Sequence, residues 1–359
     1  MIKQPSLLPK HLVMHAEEHA LSDGSLCLVR NATDADIAII HKLIHNNLSS
    51  DFCKLNVAQQ FSSSIPTEDD LLKAFRANAF EALVVVKACR VVGMAIYQSL
   101  YRAWTGNSLY LQDLIVDAEY RGGGIGTLLL KILTNMALNI GCDRIAWESL
   151  SDNKKACTFY ADAIGAGFVP EVLSWKLVGR DRLATLAAKA SQHVALNDRI
   201  SCTIRNADEG DIPSIYRLSN SLASMCGRPV ETTEADFLQA FRCHAFDVHI
   251  VIQGDAIIGM ALYQTSYRTL SGSCIYLQNL IVDAEQRGAG LGTLLFHVLA
   301  KTALEKGCNL IFWESLKDDE KACKFYAETI RADPHPELLK WRLVGDRFVS
   351  LAGQATLQS

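Results

Sequence analysis

The residues best suited to chemistry in this 359-residue sequence lie in a glycine-rich stretch that occurs twice. The first copy, residues 110–126, reads YLQDLIVDAEYRGGGIG, and the second, residues 276–292, reads YLQNLIVDAEQRGAGLG. Loop glycines lack side chains, so their backbone N–H groups can approach a ligand closely. Each loop leads into an apolar segment with helical spacing. Because a helix N-terminus presents free N–H groups and partial positive charge, the pattern predicts a phosphate-binding site.

The residues predicted to contact this ligand are the end of a buried strand, an arginine at the mouth of the loop and the loop itself. They are Leu114, Ile115, Val116, Arg121, Gly122, Gly123, Gly124, Ile125, Gly126 and Thr127, and in the second copy Leu280, Ile281, Val282, Arg287, Gly288, Ala289, Gly290, Leu291, Gly292 and Thr293. Neither loop has the Gly-Lys-Ser/Thr of a Walker motif. The strand after the helix, residues 145–148, is a weak match to a dinucleotide-binding unit.

Composition excludes several classes of protein. The chain is 49% hydrophobic and 21% charged, with a net charge of −4, so no general attraction to nucleic acid or to acidic membranes is expected. Eleven cysteines occur without a CxxC pair, which is typical of a reduced, cytoplasmic protein without a structural metal site. Residues 1–22 contain three histidines and two glutamates, and no apolar run in the chain approaches 18 residues, so we expect neither a signal peptide nor a membrane span.

The chain contains an internal duplication. Over residues 110–179 the second copy aligns at a constant offset of 166 residues, and 42 of the 70 aligned positions are identical. Such self-similarity indicates repeated structural units. We predict an N-terminal extension over residues 1–22, a first domain over 23–187, a linker over 188–199 and a second domain over 200–359. The extension is expected to be helical, and its histidines (His11, His15 and His19) are expected to be solvent-exposed.

Each copy shows the same succession of apolar periodicities and turn signals. They predict the element order β-α-α-β-β-β-α-β-α-β, with the glycine loop between the fourth strand and the third helix. This order predicts an α+β protein of two tandem domains, each with a mixed central β-sheet flanked by helices.

The shared loop spacing Arg-x-x-Gly-x-Gly resembles the acyl-CoA pyrophosphate loop of the GNAT superfamily of N-acetyltransferases, and the element order is that of the GNAT fold. Both copies are similar to the diamine (spermidine/spermine) N-acetyltransferase branch over about residues 25–187 and 200–352, in stretches such as Ile258-Gly-Met-Ala-Leu-Tyr. The resemblance implies acetyl-CoA as cosubstrate, no metal, and a small amine as acceptor. Because diamine acetyltransferases are commonly dimers, a fused duplication implies an intrachain pseudo-dimer.

Acetyl transfer to an amine needs a base for the amine and is helped by an acid for the leaving thiolate. In the superfamily a tyrosine on the helix after the fifth strand often lies near the CoA sulfur, which implies that Tyr160 and Tyr326 are the acids. The alternative is that they only anchor the core. Tyr97 and Tyr263 are candidates for substrate binding, with core packing as the alternative.

The base is the open question. The diamine branch usually has glutamate where this chain has Gln112 and Gln278, and an amide can hydrogen-bond to a substrate but cannot act as a base. Glu148 and Glu314, on the next strand, are candidate substitutes, with a purely structural role equally open. Asp113 is expected to face away from Gln112, because side chains alternate along a strand.

The sequence therefore predicts an N-acetyltransferase with two acetyl-CoA sites that acts on a small amine of diamine or polyamine type. Two alternatives remain open at this point. The acceptor is a protein or peptide amine, or the chain is a non-catalytic acyl-CoA-binding sensor or scaffold, which the glutamines at 112 and 278 would favour.

Overall fold

The computed structural model describes residues 16–49, 65–191, 193–197 and 200–356. The strands of the first copy are β1 (Glu17–Ala20), β2 (Leu26–Asn31), β3 (Glu81–Lys87), β4 (Arg90–Arg102), β5 (Gly106–Val116), β6 (Arg144–Leu150), β7 (Gly167–Phe168) and β8 (Val172–Val178). Its helices are α1 (Ile37–Ser49), α2 (Glu68–Arg76), α3 (Ile125–Asn139), α4 (Lys154–Thr158) and α5 (Arg180–Ala187).

The second copy repeats this order. Its strands are β9 (His193–Asn197), β10 (Ile200–Asn206), β11 (Asp247–Gln253), β12 (Ala256–Arg268), β13 (Gly272–Val282), β14 (Leu310–Leu316), β15 (Asp333–His335) and β16 (Leu338–Val344). Its helices are α6 (Ile212–Met225), α7 (Glu234–Arg242), α8 (Leu291–Glu305), α9 (Glu320–Lys324) and α10 (Gly345–Thr356). The short helices α4 and α9 each continue as a π-helix, over Phe159–Ile164 and Phe325–Ile330.

Local sequence signals account for where the helices begin. Thr67 accepts a hydrogen bond from the backbone of Asp70, whose carboxylate accepts one back from the Thr67 backbone. Thr233 and Asp236 form the same capping box at α7. Such boxes satisfy backbone N–H groups that have no partner within the helix. The repetition of these caps explains why both copies adopt the same local structure.

The described strands form two eight-stranded mixed sheets. One has the order β1-β2-β3-β4-β5-β6-β16-β7, and the other has the order β15-β8-β14-β13-β12-β11-β10-β9. Neighbouring strands are antiparallel except for the pairs β5–β6 and β13–β14, which are parallel. We call the half of the molecule built on the first sheet lobe one and the half built on the second sheet lobe two.

The two copies exchange their final strands. Strand β16 from the second copy pairs with β6 in lobe one, with Trp341 opposite Trp147. Strand β8 from the first copy pairs with β14 in lobe two, with Trp175 opposite Trp313. The helix that follows each exchanged strand moves with it, so that α10 packs on α3 and α5 packs on α8. Each lobe is therefore completed by the other copy.

The hairpin that joins β4 to β5 and the hairpin that joins β12 to β13 also cross between the lobes. Tyr101 lies in the core beneath α6 and α7 of lobe two, and Tyr267 lies in the core beneath α1 and α2 of lobe one. Gln98 Nε2 donates to the Tyr267 carbonyl at 2.6 Å, and Gln264 Nε2 donates to the Tyr101 carbonyl at 2.5 Å. These reciprocal contacts join the lobes as an intrachain pseudo-dimer.

The α+β fold of two tandem domains is confirmed, but the ends of the copies differ from expectation. Residues Glu17–Ala20 form an edge strand against β2 rather than a helix, and His19 is buried; His11 and His15 lie outside the described residues. The expected linker contains β9, the counterpart of β1. The exchange itself was not predicted, because a strand's own sequence does not say which of two near-identical partners it will join.

The strand exchange predicts that unfolding is a single event. Trp341 is 5% exposed and belongs to the core of lobe one, although it is part of the second copy. We expect Trp341→Ala to lower the free energy of unfolding by about 3–5 kcal/mol, in one denaturant transition seen by both fluorescence and circular dichroism. Val344→Ala, at an exposed position of the same strand, is the control and should cost less than about 1 kcal/mol. Two separated transitions would contradict the coupling of the lobes.

Candidate active site

The glycine loops form an open helix N-terminus in each lobe. Gly122 and Gly124 have φ of 84° and 89°, and Gly288 and Gly290 have φ of 87° and 81°, the left-handed region that residues with a side chain rarely adopt. Helices α3 and α8 begin directly after these loops, and no described side chain caps either one. Their first N–H groups are therefore available to an anionic ligand such as a phosphate.

The two parallel strands beside each loop separate. In lobe one, β5 and β6 pair only from Leu109–Ile145 to Leu111–Trp147, although β5 continues to Val116 and β6 to Leu150. Lobe two has the same short ladder between β13 and β14. The separated strand ends leave backbone N–H and C=O groups without a partner across the gap. An extended ligand arm can enter this gap and bond to them.

Tyr160 lies beside the gap in lobe one. It is 8% exposed, and its ring packs 5.1 Å from that of Trp147 and 5.7 Å from that of Trp341 on the exchanged strand. The neighbouring Phe159 closes on the helix start, since a Cβ added at Gly126 would lie 3.3 Å from its ring. Burial, with a contribution from the negative charge of Asp113, raises the pKa of Tyr160. The phenol is thus protonated at neutral pH and can donate a proton.

Tyr326 occupies the equivalent place in lobe two. It is 9% exposed and packs against Trp313 and, from the exchanged strand β8, against Trp175. Burial raises its pKa as well. The exchange thus supplies one wall of the tyrosine pocket in each lobe.

Asp113 is the residue that sequence reasoning missed. The register of β5 shifts between the pairs Ile96–Asp113 and Tyr97–Leu111, so Gln112 is an extra residue in a β-bulge. The bulge breaks the alternation from which Asp113 was expected to face away from Gln112, and that expectation was wrong. Asp113 pairs with Ile96, whose side chain lies in the core beneath α1.

The Asp113 carboxylate accepts a hydrogen bond from Thr269 Oγ1, on the hairpin from lobe two, at 2.8 Å. Burial raises the pKa of Asp113 to about 6, although this hydrogen bond and the charge of Arg268 act in the opposite direction. A carboxylate with this pKa is ionised at neutral pH and is more basic than usual. The signal in the sequence was the Asp113/Asn279 difference within two otherwise identical Tyr-Leu-Gln-x-Leu-Ile-Val strands.

Glu148 and Glu314 lie at the junction of the lobes. Glu148 is ion-paired with Lys340 and, at 3.2 Å, with Arg268; Lys340 also contacts Glu314 at 2.9 Å. Burial opposes ionisation here, but the cations prevail and hold the pKa of both carboxyls below the usual range. Carboxylates stabilised in this way are poor bases. The geometry favours the structural alternative for this pair.

The remaining sequence candidates are divided between core and cleft. Tyr97 and Tyr263 are 1% and 3% exposed and belong to the cores beneath α3 and α8, which favours packing over substrate binding. The side-chain oxygen of Gln112 is buried and has no hydrogen-bond partner among the described residues. Gln278 is fully engaged by lobe one, since its amide contacts the Ala103 N–H at 3.2 Å and the Tyr101 carbonyl at 2.8 Å.

A large groove of about 1290 Å³ lies between the lobes. Neither the glycine loops nor Gln112, Asp113, Tyr160 and Gln278 line it. It is lined by the starts of β5 and β13 and the ends of α3 and α8, at the opposite end of the parallel strands from the glycine loops. Three of the acidic side chains that line it are ion-paired: Arg144 contacts both Asp143 and Glu231 at 2.6 Å, and Lys306 contacts Asp247 at 3.3 Å. The groove is therefore separate from the candidate active site.

Metal sites, membrane-spanning helices and disulfides are absent from the described part of the chain. It contains no group of three or more His, Cys, Asp or Glu residues placed to hold a metal ion. None of its helices is long and apolar enough to span a membrane. The ten cysteines within it are all free thiols.

Comparison with known proteins agrees with this geometry. The model of the acetyltransferase (GNAT) family matches the chain twice, over residues 49–166 and 213–329. Thialysine N-epsilon-acetyltransferase of Mus musculus is 30% identical over 158 residues, which cover 41% of this chain and 88% of that protein. Spermidine/spermine N(1)-acetyltransferase-like protein 1 of Homo sapiens is 36% identical over 69 residues, covering 19% of this chain and 10% of that protein.

Two solved structures have a similar fold over most of this chain. A tandem GNAT protein from the clavulanic acid biosynthesis pathway superposes with a TM-score of 0.53 at 15% identity, covering 89% of this chain and 98% of that one. A GCN5-related N-acetyltransferase from Sphaerobacter thermophilus gives the same TM-score and identity over 89% and 95% of the two chains. At such identity the likeness shows the fold alone. With the family model matched in both repeats, the chain belongs to the acetyltransferase (GNAT) family, as a tandem duplication of its domain.

Proposed function

We propose that this acetyltransferase transfers the acetyl group of acetyl-CoA to a small primary amine of diamine, polyamine or lysine-analogue type, in the cleft of lobe one. One observation carries the proposal: the gap between β5 and β6 has a free helix N-terminus at its mouth, a protonated buried tyrosine beside it and a basic carboxylate on β5. The relatives named for thialysine and for spermidine and spermine support a small-amine acceptor.

The donor fits the loop and the gap. The N–H groups at the start of α3 would hold the pyrophosphate, with Arg121 at the mouth of the loop, where its Nε donates to the Val116 carbonyl at 2.9 Å. The separated ends of β5 and β6 would receive the pantetheine arm and the thioester. A backbone N–H in this gap can hydrogen-bond to the thioester oxygen as negative charge develops on it.

The acceptor fits the bulge. The Gln112 oxygen, which has no partner among the described residues, can accept a hydrogen bond from the amine. The Asp113 carboxylate can attract the ammonium form of the amine and take its proton. Thr269 holds the carboxylate in place. The loss of the family's glutamate at position 112 is thereby compensated one residue further along the strand, because the bulge changes where side chains point.

The reaction is a single exchange of bonds. The neutral amine nitrogen attacks the thioester carbonyl carbon, so a C–N bond forms and the C–S bond breaks. The proton lost by nitrogen passes to Asp113, and the Tyr160 hydroxyl gives its proton to the leaving thiolate. Proton exchange with water then restores both groups, leaving an acetamide and free CoA. Holding amine and thioester together supplies a large share of the rate.

The direct test is acetyl-CoA turnover, read as free thiol, across diamines, polyamines, lysine, lysine analogues, aminoglycosides and a lysine-containing peptide. Turnover with one class of small amines would support the proposal. Turnover with the peptide alone would show a protein acceptor instead. Binding of acetyl-CoA without turnover on any amine would favour a sensor or scaffold.

Tyr160→Phe should lower kcat by about 100-fold while leaving the KM for acetyl-CoA within about threefold, because the hydroxyl acts on the leaving thiolate rather than on binding. Steady-state kinetics on the best amine checks this. Tyr216→Phe is the matched control: it removes a hydroxyl that donates to the Thr232 carbonyl in lobe two. It should keep kcat within about twofold, and an equal loss in both variants would contradict the acid role.

The pH profile should report Asp113. The base acts only when ionised, so kcat/KM should fall by an additional factor of roughly ten per pH unit below a pKa of about 6. This adds to the fall that the amine's own protonation causes at all pH values below the amine's pKa. Asp113→Asn should lower kcat/KM at pH 8 and abolish the additional fall. If the additional fall of kcat/KM below about pH 6 persisted in Asp113→Asn, it would have to come from another titrating group.

A further inference from the structure

We propose that the two lobes have diverged in function: lobe one binds the amine and transfers the acetyl group, whereas lobe two binds acetyl-CoA but neither accepts an amine nor transfers. This inference rests on the proposed function and deepens it. Three differences on the acceptor side of the two clefts carry it, while the donor loops are alike.

The first difference is the base. Asn279 takes the position of Asp113 in lobe two and is 2% exposed. Its Nδ2 donates to the Ser219 hydroxyl at 2.9 Å. A carboxamide has no useful proton affinity at neutral pH, so it cannot remove a proton from an amine. The neighbouring hydroxyl fixes it in a structural hydrogen bond.

The second difference is steric. The hairpin tips that cross between the lobes carry Leu270 into lobe one but Trp104 into lobe two, at equivalent positions of the repeat. The Trp104 indole N–H donates to both the carbonyl and the hydroxyl of Ser219 at 3.0 Å. One hydroxyl therefore links Trp104 to Asn279. Tryptophan has the largest side chain of the amino acids, and Trp104 occupies the space beside Asn279, the residue that replaces the base.

The same tip is fixed from several sides. Thr232 Oγ1 donates to the Ala103 carbonyl at 2.8 Å, and the Glu231 N–H donates to the Trp104 carbonyl at 2.7 Å. Trp104 also packs against the core beneath α6 and α7. The indole is thus part of the lobe-two structure rather than a loosely held side chain that an amine could displace.

The third difference lies at the bulge. The oxygen of Gln112 is without a partner among the described residues, whereas the amide of Gln278 bonds to the Ala103 N–H and the Tyr101 carbonyl. A substrate amine could bind to Gln278 only by breaking these contacts. In lobe two the crossing hairpin therefore occupies Gln278, and Ser219 on α6, which also accepts from the hairpin residue Trp104, occupies Asn279.

The donor side shows no such loss. Gly288 and Gly290 keep the positive φ of their counterparts, and Arg287 Nε donates to the Val282 carbonyl at 2.9 Å as Arg121 does to Val116. Helix α8 begins uncapped and the strands β13 and β14 separate after Leu277–Trp313. Lobe two therefore retains the features that would hold acetyl-CoA.

Two matched pairs of variants test the catalytic half of the inference, with turnover on the best amine as readout. Asp113→Asn and Tyr160→Phe should each lower kcat by about 100-fold. Their lobe-two counterparts, Asn279→Asp and Tyr326→Phe, should each leave kcat at the value of the parent protein, because a lobe that does not transfer contributes nothing to turnover. Circular dichroism and the unfolding midpoint confirm that each variant is folded. A kcat halved by Tyr326→Phe, or substantial turnover remaining in Tyr160→Phe, would overturn the inference while leaving the proposed function intact.

Calorimetry tests the binding half without requiring turnover. Titration of the whole chain with acetyl-CoA should give two molecules bound per chain, and titration of the CoA-saturated protein with the diamine putrescine, or with the best amine of the panel, should give one. Asp113→Asn should abolish amine binding and keep both acetyl-CoA sites. Two amines per chain, or one acetyl-CoA per chain, would overturn the inference alone. No amine binding for any panel member would overturn it together with the proposed function.

Discussion

The reciprocal exchange of β8 and β16 is the constraint on which the rest of the molecule depends. Each sheet would end at β6 or β14 without the strand from the other copy, and each core would lack a tryptophan, a following helix and the wall against which its buried tyrosine packs. Burying such large aromatic surfaces is among the strongest contributions that a core receives. The two tandem domains are for this reason interlocked, and the stability of each lobe depends on the sequence of both copies.

The junction that results has its own electrostatics. Glu148, Glu314, Lys340 and Arg268 are brought together from both copies and are shielded from water, where an unpaired charge would be costly. Their pairing explains why two glutamates that looked available for catalysis are held ionised and occupied. The aspartate beside the cleft has a different environment, in which burial outweighs its partners and raises the pKa of the carboxyl. The pKa of Asp113 on β5 is therefore raised, whereas that of Glu148 on the neighbouring strand β6 is lowered.

Crossing of the hairpins also explains how a duplicated enzyme can become asymmetric without losing its fold. Each tip packs in the core of the opposite lobe, so a change in one copy alters the surroundings of the sheet built on the other. Trp104, encoded in the first copy, occupies lobe two, and Thr269, encoded in the second copy, supports the carboxylate of lobe one. The cores beneath the helices accommodate Trp104 in lobe two and Leu270 in lobe one. On the proposed division of roles, only the smaller Leu270 leaves space for a substrate. On the same proposal, changes in a few side chains are enough to give the two lobes different functions.

The sequence by itself determined the order of the elements within each repeat, the duplication and the glycine loops, because these follow from local periodicity, from capping residues and from glycines that permit a positive φ. The role of the two tyrosines was implied by the superfamily resemblance and stays a prediction. Only the tertiary structure decided which lobe receives each final strand, that Glu148 is neutralised by Lys340, and that Asp113 follows a β-bulge and accepts a hydrogen bond from Thr269. Those outcomes depend on contacts between residues more than 100 positions apart and on a one-residue bulge, and neither leaves a pattern that can be recognised along the chain.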